Sequence, residues 1–250
     1  MTGLRRGARQ RLFSAGPKEK KSWRCNMVYG FDNSASFGKF FPDADMPGYW
    51  EHLEQRFNEM SANGATTHEF FPQFRSQFVD DCLKGLLPID EDLLPKDFVL
   101  AKPYKSLGDV ILLGLGIAVT ERFRDVIERL EPGRHQFRPI TIKQPSGEAF
   151  PAAYFTLRVL TELDAWDREK SDPSCWKKPV RTAKVCRPLK DHAYGIAISR
   201  SVTRDHHIWR GLFTSETGIA GFDFYVSDRL QAAIDEAGLL TPPSYELKDV

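Results

Sequence analysis

Val119-Thr120-Glu121-Arg122-Phe123, followed by Val126, Ile127, Glu128 and Leu130, returns 107 positions later as Val226-Ser227-Asp228-Arg229-Leu230, followed by Ala233, Ile234, Asp235 and Ala237. In each copy an apolar strand-like run meets a hydroxyl residue, an acid and an arginine. Thr120 and Ser227 stand where a helix N-cap accepts from a free backbone N–H. Glu121 and Asp228 suit the positive end of the helix that follows. Phe123, Val126, Ile127 and Leu130 fall at i, i+3, i+4 and i+7, as do Leu230, Ala233, Ile234 and Ala237, so each helix carries one apolar stripe. Pro132-Gly133 ends the first helix, and Gly238 is placed as the C′ residue of the second. Val110 to Val119 reads as a buried strand, or as two short strands around Gly114-Leu115-Gly116. Phe137–Lys143 and Tyr245–Leu247 return as strands. A helix with one apolar stripe lays it on a sheet. The expected fold is therefore α+β: a mixed or mainly antiparallel sheet, helices packed on one face, and two strand–helix–strand units. Internal duplication and convergence on a common form both account for the echo.

Further elements surround these units. Trp50, Leu53, Phe57 and Met60 recur at helical spacing, predicting a helix over Tyr49–Ser61 that stops at Asn63-Gly64. Phe70, Phe71, Phe74 and Phe78 crowd residues 68–79; such a cluster is either an exposed recognition surface or, more often, core, and it reads here as core. Asp80 to Asp92 reads as a short segment around Leu83, Leu86 and Leu87, broken by Gly85 and Pro88. Tyr154 to Thr161 alternates as a strand, and Ile196–Ser199 is another. Asp164 to Pro179 is polar and loop-like. His207–Thr214 and Ile219–Val226 flank a hairpin turn at Ser215-Glu216-Thr217-Gly218.

Residues 1–22 hold seven Lys and Arg against Glu19, with almost no apolar content. Residues 1–26 are expected to be a basic tail, with translation starting at Met1 or Met27, and residues 27–250 a single α+β domain. The whole chain carries a net charge of +1, which argues against nucleic acid as the partner. The longest apolar run, Val110–Val119, falls far short of the ~20 residues of a membrane span. Cys25, Cys82, Cys175 and Cys186 form no C-x-x-C pair and read as free thiols, Cys175–Cys186 being the one pairing to check.

No catalytic constellation is legible. Val119 stands where a dinucleotide loop would need its third glycine after Gly114-Leu115-Gly116, and no phosphate-binding loop or nucleophile elbow occurs. His206-His207 would point to opposite faces of a strand. Asp164, Asp167 and Asp172 lack a calcium-loop register and sit beside Arg168 and Lys170. No cofactor and no metal are expected.

One resemblance carries a functional expectation. It rests on Tyr154-Phe155-Thr156-Leu157-Arg158-Val159-Leu160, Asp164-Ala165-Trp166-Asp167-Arg168-Glu169-Lys170-Ser171, Trp209-Arg210-Gly211-Leu212-Phe213, and Phe224-Tyr225-Val226-Ser227-Asp228-Arg229-Leu230 with Gly238-Leu239. In that order these stretches resemble the DUF1629, or Imm11, family of predicted immunity proteins from bacterial polymorphic toxin systems, over roughly residues 110–250. The resemblance implies a cytoplasmic, non-enzymatic protein that binds and neutralises a cognate toxin by protein–protein contact. Such a protein needs a few aromatic or arginine anchors and complementary charge. The acidic loops Asp43/Asp45 and Asp90-Glu91-Asp92, with Trp50 and Trp176, are the candidate contacts. A ligand- or nucleic-acid-binding regulatory module, or an unrecognised enzyme, remains the alternative.

Overall fold

The computed structural model describes residues 27–31, 37–84, 87–175, 195–211 and 224–250. The basic tail, Cys25, Trp176, Cys186 and the turn at 215–218 lie outside the described residues. The fold is α+β, and its strands divide between two sheets rather than one. The first runs β2 (Ala44–Asp45), β3 (Asp97–Leu100), β6 (Gln136–Lys143), β7 (Tyr154–Arg158), β5 (Gly116–Thr120), β4 (Val110–Leu113). The second runs β8 (Glu162–Leu163), β11 (Ile208–Gly211), β12 (Tyr225–Ser227), β1 (Val28–Phe31), β13 (Ser244–Asp249), β10 (Ala197–Ile198), β9 (Trp166–Asp167). Both are mixed: β3/β6, β8/β11 and β10/β13 pair parallel, and the other pairs are antiparallel. The loop expected at Asp164–Pro179 thus contributes one short edge strand, β9.

The two echoed helices, α3 (Glu121–Leu130) and α5 (Asp228–Glu236), pack on each other. Phe123, Val126 and Ile127 of α3 meet Leu230 and Ile234 of α5 in one core. That core also takes Val110, Val119 and Leu157 from the first sheet and Phe31, Ile208 and Val226 from the second. Each of these large side chains removed from water stabilises the fold by ~1.5–3 kcal/mol. The opposite face of the first sheet buries Phe98, Leu100, Ile111 and Ile142. The opposite face of the second buries Trp209, Tyr225 and Leu247. Gly114-Leu115 form the turn between β4 and β5, so the ten-residue apolar run is two short strands.

Apart from this core, α1 (Tyr49–Ala62) and α2 (Phe71–Lys84) pair through Leu53, Phe57, Phe74, Phe78 and Cys82. Gly64, at φ 65°, supplies the left-handed residue beyond the C-cap Asn63. The second of these helices overturns the reading of Asp80–Asp92 as a separate short segment. Phe71, Phe74, Phe78 and Cys82 form one stripe that carries the helix on to Lys84. Phe70 lies outside that stripe and is exposed.

The echo proves to be geometric. Thr120 and Ser227 have nearly the same backbone conformation, φ/ψ −70/162° and −71/162°. The ladders behind them match, Val110 opposite Val119 and Ile208 opposite Val226. One residue further out, Thr120 N–H donates to the Asp109 carbonyl and Ser227 N–H to the His207 carbonyl, both at 3.0 Å. The side chains then diverge. Ser227 Oγ accepts from Leu230 N–H at 3.2 Å, as an N-cap should, and sits 2.9 Å from His207 Nδ1. Thr120 makes no such cap bond; its hydroxyl donates to the buried Asp109 carboxylate at 2.5 Å.

Each unit's first strand begins where the other unit's helix ends. Asp109 N–H donates to the Leu240 carbonyl at 2.6 Å, and Leu240 N–H returns to Asp109 Oδ2 at 2.7 Å. Reciprocally, His207 N–H and Ile208 N–H donate to Glu131, beyond α3, at 3.0 and 3.3 Å. Arg122 reaches the Ala237 carbonyl at the end of α5. Removing a buried acceptor leaves its donors desolvated, at ~1–3 kcal/mol each. Asp109→Ala, which strands the Thr120 hydroxyl and Leu240 N–H, is expected to lower unfolding free energy by roughly 2–4 kcal/mol. Urea denaturation against a Thr120→Val control would read this; a loss below about 0.5 kcal/mol would mean the clasp carries no weight.

Candidate functional site

Three places in the described residues concentrate polar chemistry. The first is the buried carboxylate of Glu131. Besides His207 and Ile208 N–H it receives Arg134 Nη1 at 2.9 Å and His135 Nε2 at 2.8 Å. His135 Nδ1 accepts from Leu160 N–H at 3.3 Å, which assigns the ring proton to Nε2. His206 lies 3.7 Å from the same carboxylate and its Nδ1 is 3.0 Å from Arg134 Nη1. Burial pushes the Glu131 pKa upward, but hydrogen bonds from His135 and the His207 amide outweigh it, so the group rests below its ordinary value. With its oxygens so engaged, Glu131 is built to hold structure. The adjacent histidines precede β11 rather than lying on it, and they serve different neighbours: His206 faces Arg134 and Glu131, His207 faces Ser227.

The second is a narrow cleft of about 40 Å³ between α2 and β7, walled by Cys82, Phe98, Leu113, Ile117 and Arg158. Arg158 is buried and donates to the Asp81, Cys82 and Leu87 carbonyls at 2.7–3.3 Å, so it secures the end of α2. Burial, opposed by Arg158 and aided by Asp81, pushes the Cys82 thiol up to about 12, which keeps it protonated and unreactive. Among the described residues no three His, Cys, Asp or Glu converge as metal ligands. Asp167 instead accepts from Lys170 N–H at 3.0 Å, and Asp172 from Ser174 N–H at 2.9 Å.

The third is the surface around α1 and α2, where most of the expected contact residues stand. Asp43 and Asp45 are exposed at the edge strand β2. Trp50 is half-buried on α1, and the Arg75 guanidinium stacks over its ring at 3.9 Å. Asp90-Glu91-Asp92 are exposed beside α1, tied to it by Tyr49 Oη to Leu93 O at 2.7 Å and by His52 Nε2, 3.0 Å from the Asp92 carbonyl. Their charges are partly committed: Asp90 caps the 3-10 turn Glu91–Leu93, Glu91 pairs with Arg138 at 2.6 Å, and Asp92 lies 3.8–3.9 Å from Arg56 and Lys96. The structure therefore gathers Trp50 and Asp90–Asp92 on one side. Phe70 was read as core and is exposed; Arg75 and the glutamates of α1 were not singled out in the sequence, although a charge count over residues 43–97 would have flagged the glutamates: twelve carboxylates stand against four Lys and Arg.

The family model described as "Immunity protein family (Imm11)" matches residues 99–241, more than half of the chain. The chain belongs to the Imm11 family. No curated protein matches it. The Imm11 span holds β4 to β12 with α3 and α5, so the interlocked pair of units is family structure. The α1–α2 pair and the acidic loops precede it.

The Glu131 cluster sets a pH signature. A carboxylate whose pKa is depressed on folding contributes stability above its unfolded value, ~4.3, and loses it as pH falls through the folded value. His207 is also depressed, by burial first, with Arg229 adding to the effect and Glu131, Asp205 and Asp228 opposing it. Its contribution is present above ~6.5 and fades as pH falls below that. Stability of the wild type is expected to decline in these two stages. Glu131→Gln should lower stability at pH 7 by about 3 kcal/mol and flatten the stage below pH ~4.3. Parallel curves of unfolding free energy against pH for the two proteins would show that Glu131 carries no linked proton.

Proposed function

We propose that this protein binds and neutralises a toxin made by its own cell, through protein–protein contact in the cytoplasm and without catalysis. The observation that carries this reading is the Imm11 match over residues 99–241. Two features support it. The polar groups of the interlocked core are engaged with one another rather than gathered around an open site. The exposed carboxylates and the Trp50–Arg75 stack lie outside that core, where a partner can reach them. Asp43, Asp45, Trp50, Asp90, Glu91 and Asp92 are the proposed contacts; Trp176, the remaining one, lies outside the described residues.

The test is co-expression with any toxin domain found encoded beside the gene, followed by calorimetry on the purified pair. Restored growth and a stoichiometric complex with a Kd of about 10⁻⁸ M or tighter are expected, in the range of specific standard-size interfaces. A toxin that kills regardless of co-expression, and gives no heat of binding, would refute the reading.

A further inference from the structure

We propose that the outer face of α2, with the Trp50–Arg75 stack at its margin, is the docking surface for the toxin, and that the toxin presents to it a basic segment bearing an apolar residue. This rests on the immunity reading above and names the chemistry of the partner.

The face is apolar where it needs to be. Phe71, Pro72, Arg75, Ser76, Val79 and Asp80 line an open groove of about 420 Å³ along α2. Phe70 stands at its head, 60% exposed, and Leu87 beyond the other end of the helix, 79% exposed. Exposed aromatic side chains beside an arginine already stacked on tryptophan are the residue types that dominate binding energy. Arg75 is pre-placed by Trp50 at 3.9 Å, so little side-chain freedom remains to be lost on association.

Charge selects the partner. Residues 43–97 sum to −8 in a chain whose total is +1. Glu59, Glu91, Asp92 and Asp97 pair with neighbouring cations. Glu51, Glu54 and Glu69 are exposed, and no hydrogen bond or ion pair engages them among the described residues. This field attracts a cationic partner and speeds its encounter. It repels nucleic acid, and it repels a second copy of the same face. The face also precedes the span 99–241 that matches the family model.

The experiment uses the full chain and, as probe, the purified toxin domain that this protein neutralises in the co-expression test. Stopped-flow association and dissociation rates are measured for the wild type, for the triple variant Glu51→Lys/Glu54→Lys/Glu69→Lys, for Phe70→Ala, and for Glu148→Lys in the β6–β7 turn as a charge control. All five positions are exposed, so folding is preserved. The triple variant is expected to associate roughly 10–100-fold more slowly at low salt, the gap closing at 0.5 M salt. Phe70→Ala should dissociate about 10-fold or more faster, and Glu148→Lys should match the wild type. If the wild type binds and neither the triple variant nor Phe70→Ala differs from it, docking lies elsewhere: the inference falls and the immunity reading stands. If the wild type does not bind the toxin, both fall. Cross-links from Lys18, Lys20 or Lys21 to Glu51, Glu54 or Glu69, with toxin rates unmoved by either variant, would assign the face to the chain's own basic segment and overturn the proposal.

Discussion

Two buried carboxylates, Asp109 and Glu131, fasten the molecule together. Burying an ionised carboxylate is unfavourable unless its oxygens are met by donors. Here the donors come from across the chain. Asp109 collects the Thr120 hydroxyl and Leu240 N–H; Glu131 collects the His207 and Ile208 amides, where β11 begins. Each acid therefore works only if the other unit's strand and helix are in register. That requirement fixes where α3 and α5 stop and explains the breakers beyond them, Pro132-Gly133 and the left-handed Gly238 at φ 59°. The apolar stripes of the two helices provide the bulk of the stabilisation, but they would tolerate sliding. The carboxylates do not, because displacement by one residue would strand several desolvated groups at once.

The same reciprocity decides what the sequence can disclose. The echo around Thr120 and Ser227 is local, so it was readable, and it led to two real units. The residues in the matching clasp positions, Asp109 and His207, are chemically unlike and carry no shared signature. Asp109 meets Leu240 across 131 positions, a contact that no local pattern encodes. Thr120 was legible as a cap by position only; a buried carboxylate nearby claimed its hydroxyl. The division into two sheets was also hidden: Ile196–Ser199 was legible as a strand, but β8 and β9 have two residues each and give no periodic signal.

In α2 the composition masked the pattern. Phe70, Phe71, Phe74 and Phe78 read as one apolar mass, yet only the last three share a face, and Phe70 is turned to solvent. Gly85 and Pro88 lie beyond the last helical residue, Lys84; the error was to begin a new segment at Asp80, inside the helix. Arg158, alternating outward on its strand, reads from sequence as a solvated side chain. It is instead buried, donating to the Asp81, Cys82 and Leu87 carbonyls around the end of α2. Part of the site was legible: Trp50 and the acidic loops were chosen on residue type. The structure changes their weight by spending part of the Asp90–Asp92 charge on Arg138, Arg56 and Lys96 and leaving that of Glu51, Glu54 and Glu69 unspent.

A net charge near zero argued against a global field that would draw nucleic acid. The sum conceals a segregation. Residues 43–97 hold −8, so the remainder of the chain holds +9. At physiological ionic strength charges are screened beyond ~8 Å, so a partner approaching α1 and α2 feels the local field, not the total. A scaffold that neutralises its buried charges internally, as Asp109 and Glu131 are neutralised, contributes little to that field. What a partner meets is then set by exposed residues on elements attached to the scaffold, and these can change without disturbing the clasp. In this chain the saturated core and the unsaturated acidic face lie in different segments. Substitutions on the acidic face are therefore expected to leave the clasp intact.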